Sequence, residues 1–145
     1  MAALISGKEV EAVVRASLQS RGYKISAERG YGETGTDIVA RKEDDTLHIE
    51  AIAFKHSPPA RAKDFYEVFF RAVSRIEIGA TRCVIALPAR FGMGLHQRAS
   101  AIGCAWVRIG AAFPELSIWL VDTADRSIRE TSWNSWNDKP TARRG

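Results

Sequence analysis

Two acids are placed where they could do chemistry together. Asp37 opens the short apolar run Asp37-Ile-Val-Ala-Arg41, and Glu50 lies inside a second, Leu47-His-Ile-Glu-Ala-Ile-Ala-Phe54. A carboxylate in the middle of a buried strand is costly unless something pairs with it or binds it. The polar stretch Lys42-Glu-Asp-Asp45 between the runs reads as a turn, and the midpoint of 37 and 50 falls inside it. Paired antiparallel through that turn, the two acids come to face each other. Facing carboxylates repel unless a cation lies between them. Mg²⁺ suits such a pair, with Mn²⁺ as the substitute, because it takes oxygen ligands, keeps several waters and uses one or two protein carboxylates. An ion held this way can activate water and steady charge on a phosphodiester. Glu11 is a third acid, beside Val10, Val13 and Val14 at the edge of an apolar helix face.

The elements that would position these residues can be read from periodicity. Residues 7–21 carry Val10, Val13, Val14 and Leu18 at helical spacing, with Ser6 and Glu9 as a capping box and Gly22 as the stop. Residues 23–28 read as a strand, and residues 29–36 (RGYGETGT) as a loop whose glycines let backbone approach a ligand. Strands are expected at 37–41 and 47–54, and a helix over 60–78 after the break Ser57-Pro-Pro59. The continuous apolar run 81–87 predicts a strand covered on both faces. A helix over 91–102, a strand over 104–109 and a hairpin from 118–121 and 127–131 complete the order. This is an α/β domain with a mixed central sheet flanked by helices in three layers. The expected organisation is a single domain over residues 1–133 and a flexible basic tail over 134–145.

Composition bounds the function classes. Lys and Arg total 21 against 17 Asp and Glu, a net charge of +4 that admits an acidic partner such as nucleic acid without requiring one. No apolar run approaches the length of a membrane span, and no secretory leader is evident, so the expected location is the cytoplasm. Cys83 and Cys104 both sit in apolar contexts and read as buried free thiols.

The ordered set Gly7-Lys-Glu-Val-Glu11, Gly22-Tyr23, Gly35-Thr-Asp37-Ile-Val-Ala and Ile49-Glu50-Ala resembles the PD-(D/E)xK nuclease superfamily. Within it, the chain is most similar to archaeal Holliday junction resolvases and Mrr-type restriction endonucleases. Val84-Ile-Ala-Leu-Pro-Ala-Arg-Phe91 also resembles the strand, loop and Phe of the Mrr type, and the likeness runs over about residues 7–109. The resemblance implies a restriction-endonuclease-like fold, DNA as partner, and Mg²⁺-dependent phosphodiester hydrolysis. It implies Asp37, Glu50 and the Ala51 carbonyl as metal ligands, and Glu11 as the helix acid that some resolvases add. Cutting both strands usually needs two sites, which suits a homodimer.

One position departs from that pattern. The family's lysine stands two residues after the second acid, and here that residue is Ile52. Lys55 is the nearest substitute, with His56 and the helix residue Lys63 as others. A nuclease fold that has lost catalysis and binds nucleic acid or protein is the alternative function. Plainer readings also stand: Asp37 as a turn cap, Glu50 paired with a cation across the sheet, Glu11 paired with Arg15 at i+4. Lys63, Glu67, Arg71 and Arg75 form an i, i+4 ladder that reads as a solvated, salt-bridged face. Trp133 and Trp136 read as packing at the domain edge rather than as base-stacking groups.

Overall fold

A computed structural model of the chain describes residues 4–28 and 35–137. Its centre is one six-stranded sheet in the order β1-β2-β3-β4-β5-β6. The strands are β1 (Lys24–Ile25), β2 (Ile38–Lys42), β3 (Asp45–Ala51), β4 (Arg82–Pro88), β5 (Leu116–Asp122) and β6 (Ser127–Ser132). The pairs β3·β4 and β4·β5 are parallel, and the others antiparallel.

Helix α1 (Gly7–Ser20) starts on the expected capping box, with Ser6 and Glu9 each accepting the other's backbone N–H. It ends where Gly22 takes φ +90°, which lets the N–H groups of Gly22 and Tyr23 reach back to Gln19 and Leu18. Val10, Val13, Val14 and Leu18 then pack on one sheet face, against Ile38, Ile49, Val84 and Trp119. Helix α2 (Pro58–Ser74) is capped by Ser57 and runs on into a 3₁₀ turn, Arg75–Ile78. Together with α3 (Gly92–Ile102) and α4 (Cys104–Ala112) it covers the opposite face, over Ile85, Leu87, Ile118 and Leu120. The fold is therefore the three-layer α/β arrangement expected from the sequence.

Two expectations are corrected. Residues 104–109, expected as a strand, belong to α4. Only Trp106 is buried in that helix, while Ala105, Val107 and Arg108 are exposed, so the run is amphipathic rather than sheet-like. Gly103 at φ +66° separates it from α3. Its apolar composition could not distinguish the two states over so few residues. Cys104 is accordingly exposed, not buried. The second correction concerns the chain beyond Trp133. Trp133–Trp136 forms a 3₁₀ turn, and both tryptophans are 3 % exposed in the core under α3 and α4. The packed chain thus passes position 134, where a flexible tail was expected to begin. Residues 138–145 lie outside the described residues, as do residues 29–34 of the expected glycine-rich loop.

Candidate active site

The strand pairing sets the two acids face to face. Lys42 pairs with Asp45 across a two-residue turn, Glu43-Asp44, in which Glu43 takes φ +56°. The register runs on to Ile38 opposite Ile49, and one further step places Asp37 opposite Glu50. Asp37 is buried, and its Oδ2 accepts the Ala51 N–H at 2.9 Å. Its backbone carbonyl accepts from Arg15 Nη2 at 3.1 Å, so Arg15 ties α1 to the approach to β2.

Alternation along β3 sends Leu47, Ile49 and Ala51 toward α1, and His48, Glu50 and Ile52 toward α2. Glu50 is 1 % exposed. Arg75 donates Nε–H to its Oε2 at 2.8 Å, and Arg71 Nε lies 3.5 Å from its Oε1. Arg71 also pairs with Glu67 at 3.4 Å. Burial, then the Asp37 charge, hold the Glu50 carboxyl above the usual glutamate range, and the two guanidiniums pull it back. Neighbouring His48 shares a 2.8 Å hydrogen bond with Thr36 through Nδ1, while its Nε2 is buried without a partner among the described residues. Burial, then Arg75 and Arg41, push the His48 imidazole below its ordinary value, so it stays neutral.

Glu11, Asp37, Glu50 and Ala51 all line one open cavity of about 800 Å³, between the start of α1 and the end of α2. Gly7, Lys8, Arg71 and Arg75 line it too. Lys8 Nζ stands 3.9 Å from Glu11 Oε1. Three acids and three cations among the described residues therefore share the cavity. Among the described residues, no group of three acids, histidines or thiols is gathered closely enough to hold an ion alone. Any ion here would rest on two carboxylates and a backbone carbonyl, with water filling the other positions, which is the habit of Mg²⁺.

The three cationic substitutes weighed for the missing lysine do not line this cavity. Lys55 pairs with Asp64 at 3.0 Å. His56 and Lys63 are exposed, and Ile52 is buried in the core beneath α2. The cations that do reach Glu50 are Arg71 and Arg75, which spacing alone assigned to a solvated ladder. The signal that could have found them was the buried glutamate itself. It needed a cation, and the crossover from β3 to β4 lays α2 over that same face of the sheet.

Residues 2–100 match the family model of the Mrr catalytic domain, described as a restriction endonuclease. The chain belongs to the Mrr-type restriction endonuclease family. The match takes in α1 through β4 and most of α3, and therefore every residue of the acid cavity. Strands β5 and β6 and the tryptophan turn lie beyond it. Neither a search of curated proteins nor a search of solved structures returns a significant match. No helix among the described residues is long and apolar enough to cross a membrane.

Proposed function

We propose that this Mrr-type domain is a metal-dependent DNA endonuclease that hydrolyses phosphodiesters at the Asp37–Glu50 cavity. The observation that carries the reading is the facing of two buried acids across the β2–β3 register, with the Ala51 backbone beside them. That oxygen-only donor set fits Mg²⁺, or Mn²⁺ in its place, on Asp37, Glu50 and the Ala51 carbonyl. When bound, the ion would supply an activated water and charge neutralisation at phosphorus. The chain's own residues do the rest. Arg75 holds Glu50 in place through Oε2, and the looser Arg71 contact leaves Oε1 the more available oxygen. Lys8, 65 % exposed at the first turn of α1, gives the cavity mouth a cation for a phosphate. Glu11 lines the same cavity as a further acid.

One observation favours a second reading, that of a nuclease fold that binds nucleic acid or protein without cutting. Ile52 removes the lysine, and both Glu50 oxygens already face guanidiniums. The experiment is nicking of supercoiled and branched DNA with Mg²⁺ or Mn²⁺, with EDTA as control. Asp37→Asn and Glu50→Gln should each lower the rate roughly 10²–10³-fold, matching several kcal/mol of lost transition-state stabilisation. Wild-type protein that stays inert with both metals, yet binds DNA in a salt-sensitive way that survives Asp37→Asn, would replace the first reading with the second.

A further inference from the structure

A second cavity, of about 380 Å³, opens between the start of α2 and the start of α3. Its walls include Phe54, Arg61, Arg90, Phe91, Met93 and Arg98, and among the described residues no acid. The Arg61 and Arg90 guanidiniums lie 4.6 Å and 4.5 Å from the centre of the Phe54 ring. Phe91 meets that ring edge-on at 5.3 Å. Arg98 lies over Phe65 and Tyr66 and donates to the Tyr66 hydroxyl at 3.1 Å. Among the described residues, none of the three arginines has a carboxylate partner. Nearby Asp64 is taken by Lys55. Three uncompensated cations around aromatic walls repel one another until an anion joins them.

The arginines are also held differently. Arg61 Nη1 donates to the backbone carbonyls of Lys55 and His56, which fixes its plane against Phe54. The exposed Arg90 side chain spends no hydrogen bond on the protein among the described residues, so its donors are left for solvent or a ligand. A fixed guanidinium plane is a stacking platform, and a free one is a phosphate clamp. Exposed Met93 adds an apolar wall, at 87 % exposure. Phe54 follows Ala51 by three residues, so roughly 10 Å of chain at most separates this cavity from the acid site. The Ile5–Phe54 bridge ties it to the residue before the α1 cap, which lines the acid cavity.

We propose that this cavity is a subsite for one nucleotide of a DNA strand, with its base unstacked from its neighbours. The base lies against the Arg61–Phe54 stack, and the flanking phosphates are held by Arg90 and Arg98. The subsite rests on the reading of the chain as acting on DNA, and it locates the nucleotide beside the one attacked. It requires neither metal nor cleavage.

The test is fluorescence anisotropy of a labelled single-stranded oligothymidylate with the full chain in EDTA. Arg61→Ala/Arg90→Ala should weaken binding about tenfold or more, and flatten the salt dependence by about 0.7 for each phosphate no longer held. Arg90→Lys should retain most of the phosphate contribution. An abasic strand should bind wild type more weakly, and the double variant no worse than the intact strand does. Arg90→Ala alone changes an exposed residue and keeps the test independent of folding. Equal binding by wild type and the arginine variants, no binding by wild type, or indifference to the missing bases would each overturn the subsite. Nicking that persists beside such a result would leave the nuclease reading standing. Weakened binding in variants of a protein that never nicks would sustain the subsite and sink the nuclease reading.

Discussion

Arg75, in the 3₁₀ turn that closes α2, donates to Glu50 on β3 across 2.8 Å, and so brings to that acid a cation that Ile52 cannot supply. An arginine in this place differs from a lysine in one respect that matters. Its planar guanidinium presents fixed N–H donors that orient a carboxylate, where an ammonium is a single rotatable point charge. Burial and the Asp37 charge raise the Glu50 carboxyl, and Arg75 opposes them. On the proposed function Glu50 must be deprotonated to hold an ion, so the acid limb of cleavage, read at sub-saturating metal, should lie above the range of an ordinary glutamate. Arg75→Gln should move that limb further up, and Arg75→Lys should return it part of the way. A limb that stays fixed through this series would remove Arg75 from the site.

His48 gives a second pH dependence, this time of stability. Its folded value lies below the ordinary 6.5, because burial and two arginines disfavour the charged ring. The unfolded chain therefore binds the proton more readily. The stabilisation is fully present above about 6.5 and is lost as pH falls through the depressed folded value. His48→Leu removes the titrating ring and the Thr36 bond. Its Tm should lie below wild type at pH 7.5, and the gap should narrow by pH 5.

The two thiols should separate cleanly under alkylation. Cys83 is buried in β4, and burial with the nearby Glu115 and Glu50 charges pushes its thiol up to about 11. Cys104 is exposed at the start of α4. Iodoacetamide at pH 8 should label Cys104 alone in the native protein, and both residues after denaturation. Mass spectrometry of the intact chain counts them. Two labels on native protein would contradict the packing of β4.

Trp106 and Trp133 are joined by a reciprocal arrangement. Each indole Nε1–H donates to the other's backbone carbonyl, at 2.9 Å and 2.8 Å, and the rings stack at 3.9 Å. Trp133→Phe should cost about 0.5–1.5 kcal/mol, since it removes the indole bond to the Trp106 carbonyl. Trp133→Ala should cost about 3–5 kcal/mol. The Phe substitutions at 106 and 133 should not add when combined, because the stack is shared. Urea unfolding of the four proteins measures this.

The sequence carried the acid pair because hairpin arithmetic is local. Residues 37 and 50 are symmetric about a two-residue turn, and the register follows from counting. The α1 boundaries were equally legible, since Ser6, Glu9 and Gly22 are chemical signals at fixed offsets. The arginines were not legible, because Glu50 lies 25 positions from Arg75 and 21 from Arg71, and the contact depends on how α2 settles on the sheet. Spacing could show that Arg71 and Arg75 share a helix face, not which way that face points. The 104–109 segment failed for another reason. A short apolar run bounded by glycine fits either a strand or a short helix with one buried face, and the reciprocal tryptophan bonds that fix it are tertiary.

The margins of the sheet have a consequence for assembly. On one side, β1 offers only Lys24 and Ile25 beyond its bond to β2. On the other, β6 is a mostly exposed strand studded with Arg129 and Glu130. Short or charged rims are poor templates for another strand. Growth of a continuous sheet from one copy into the next is thereby discouraged. If two copies cooperate on a duplex, they should meet through helices or through the nucleic acid itself.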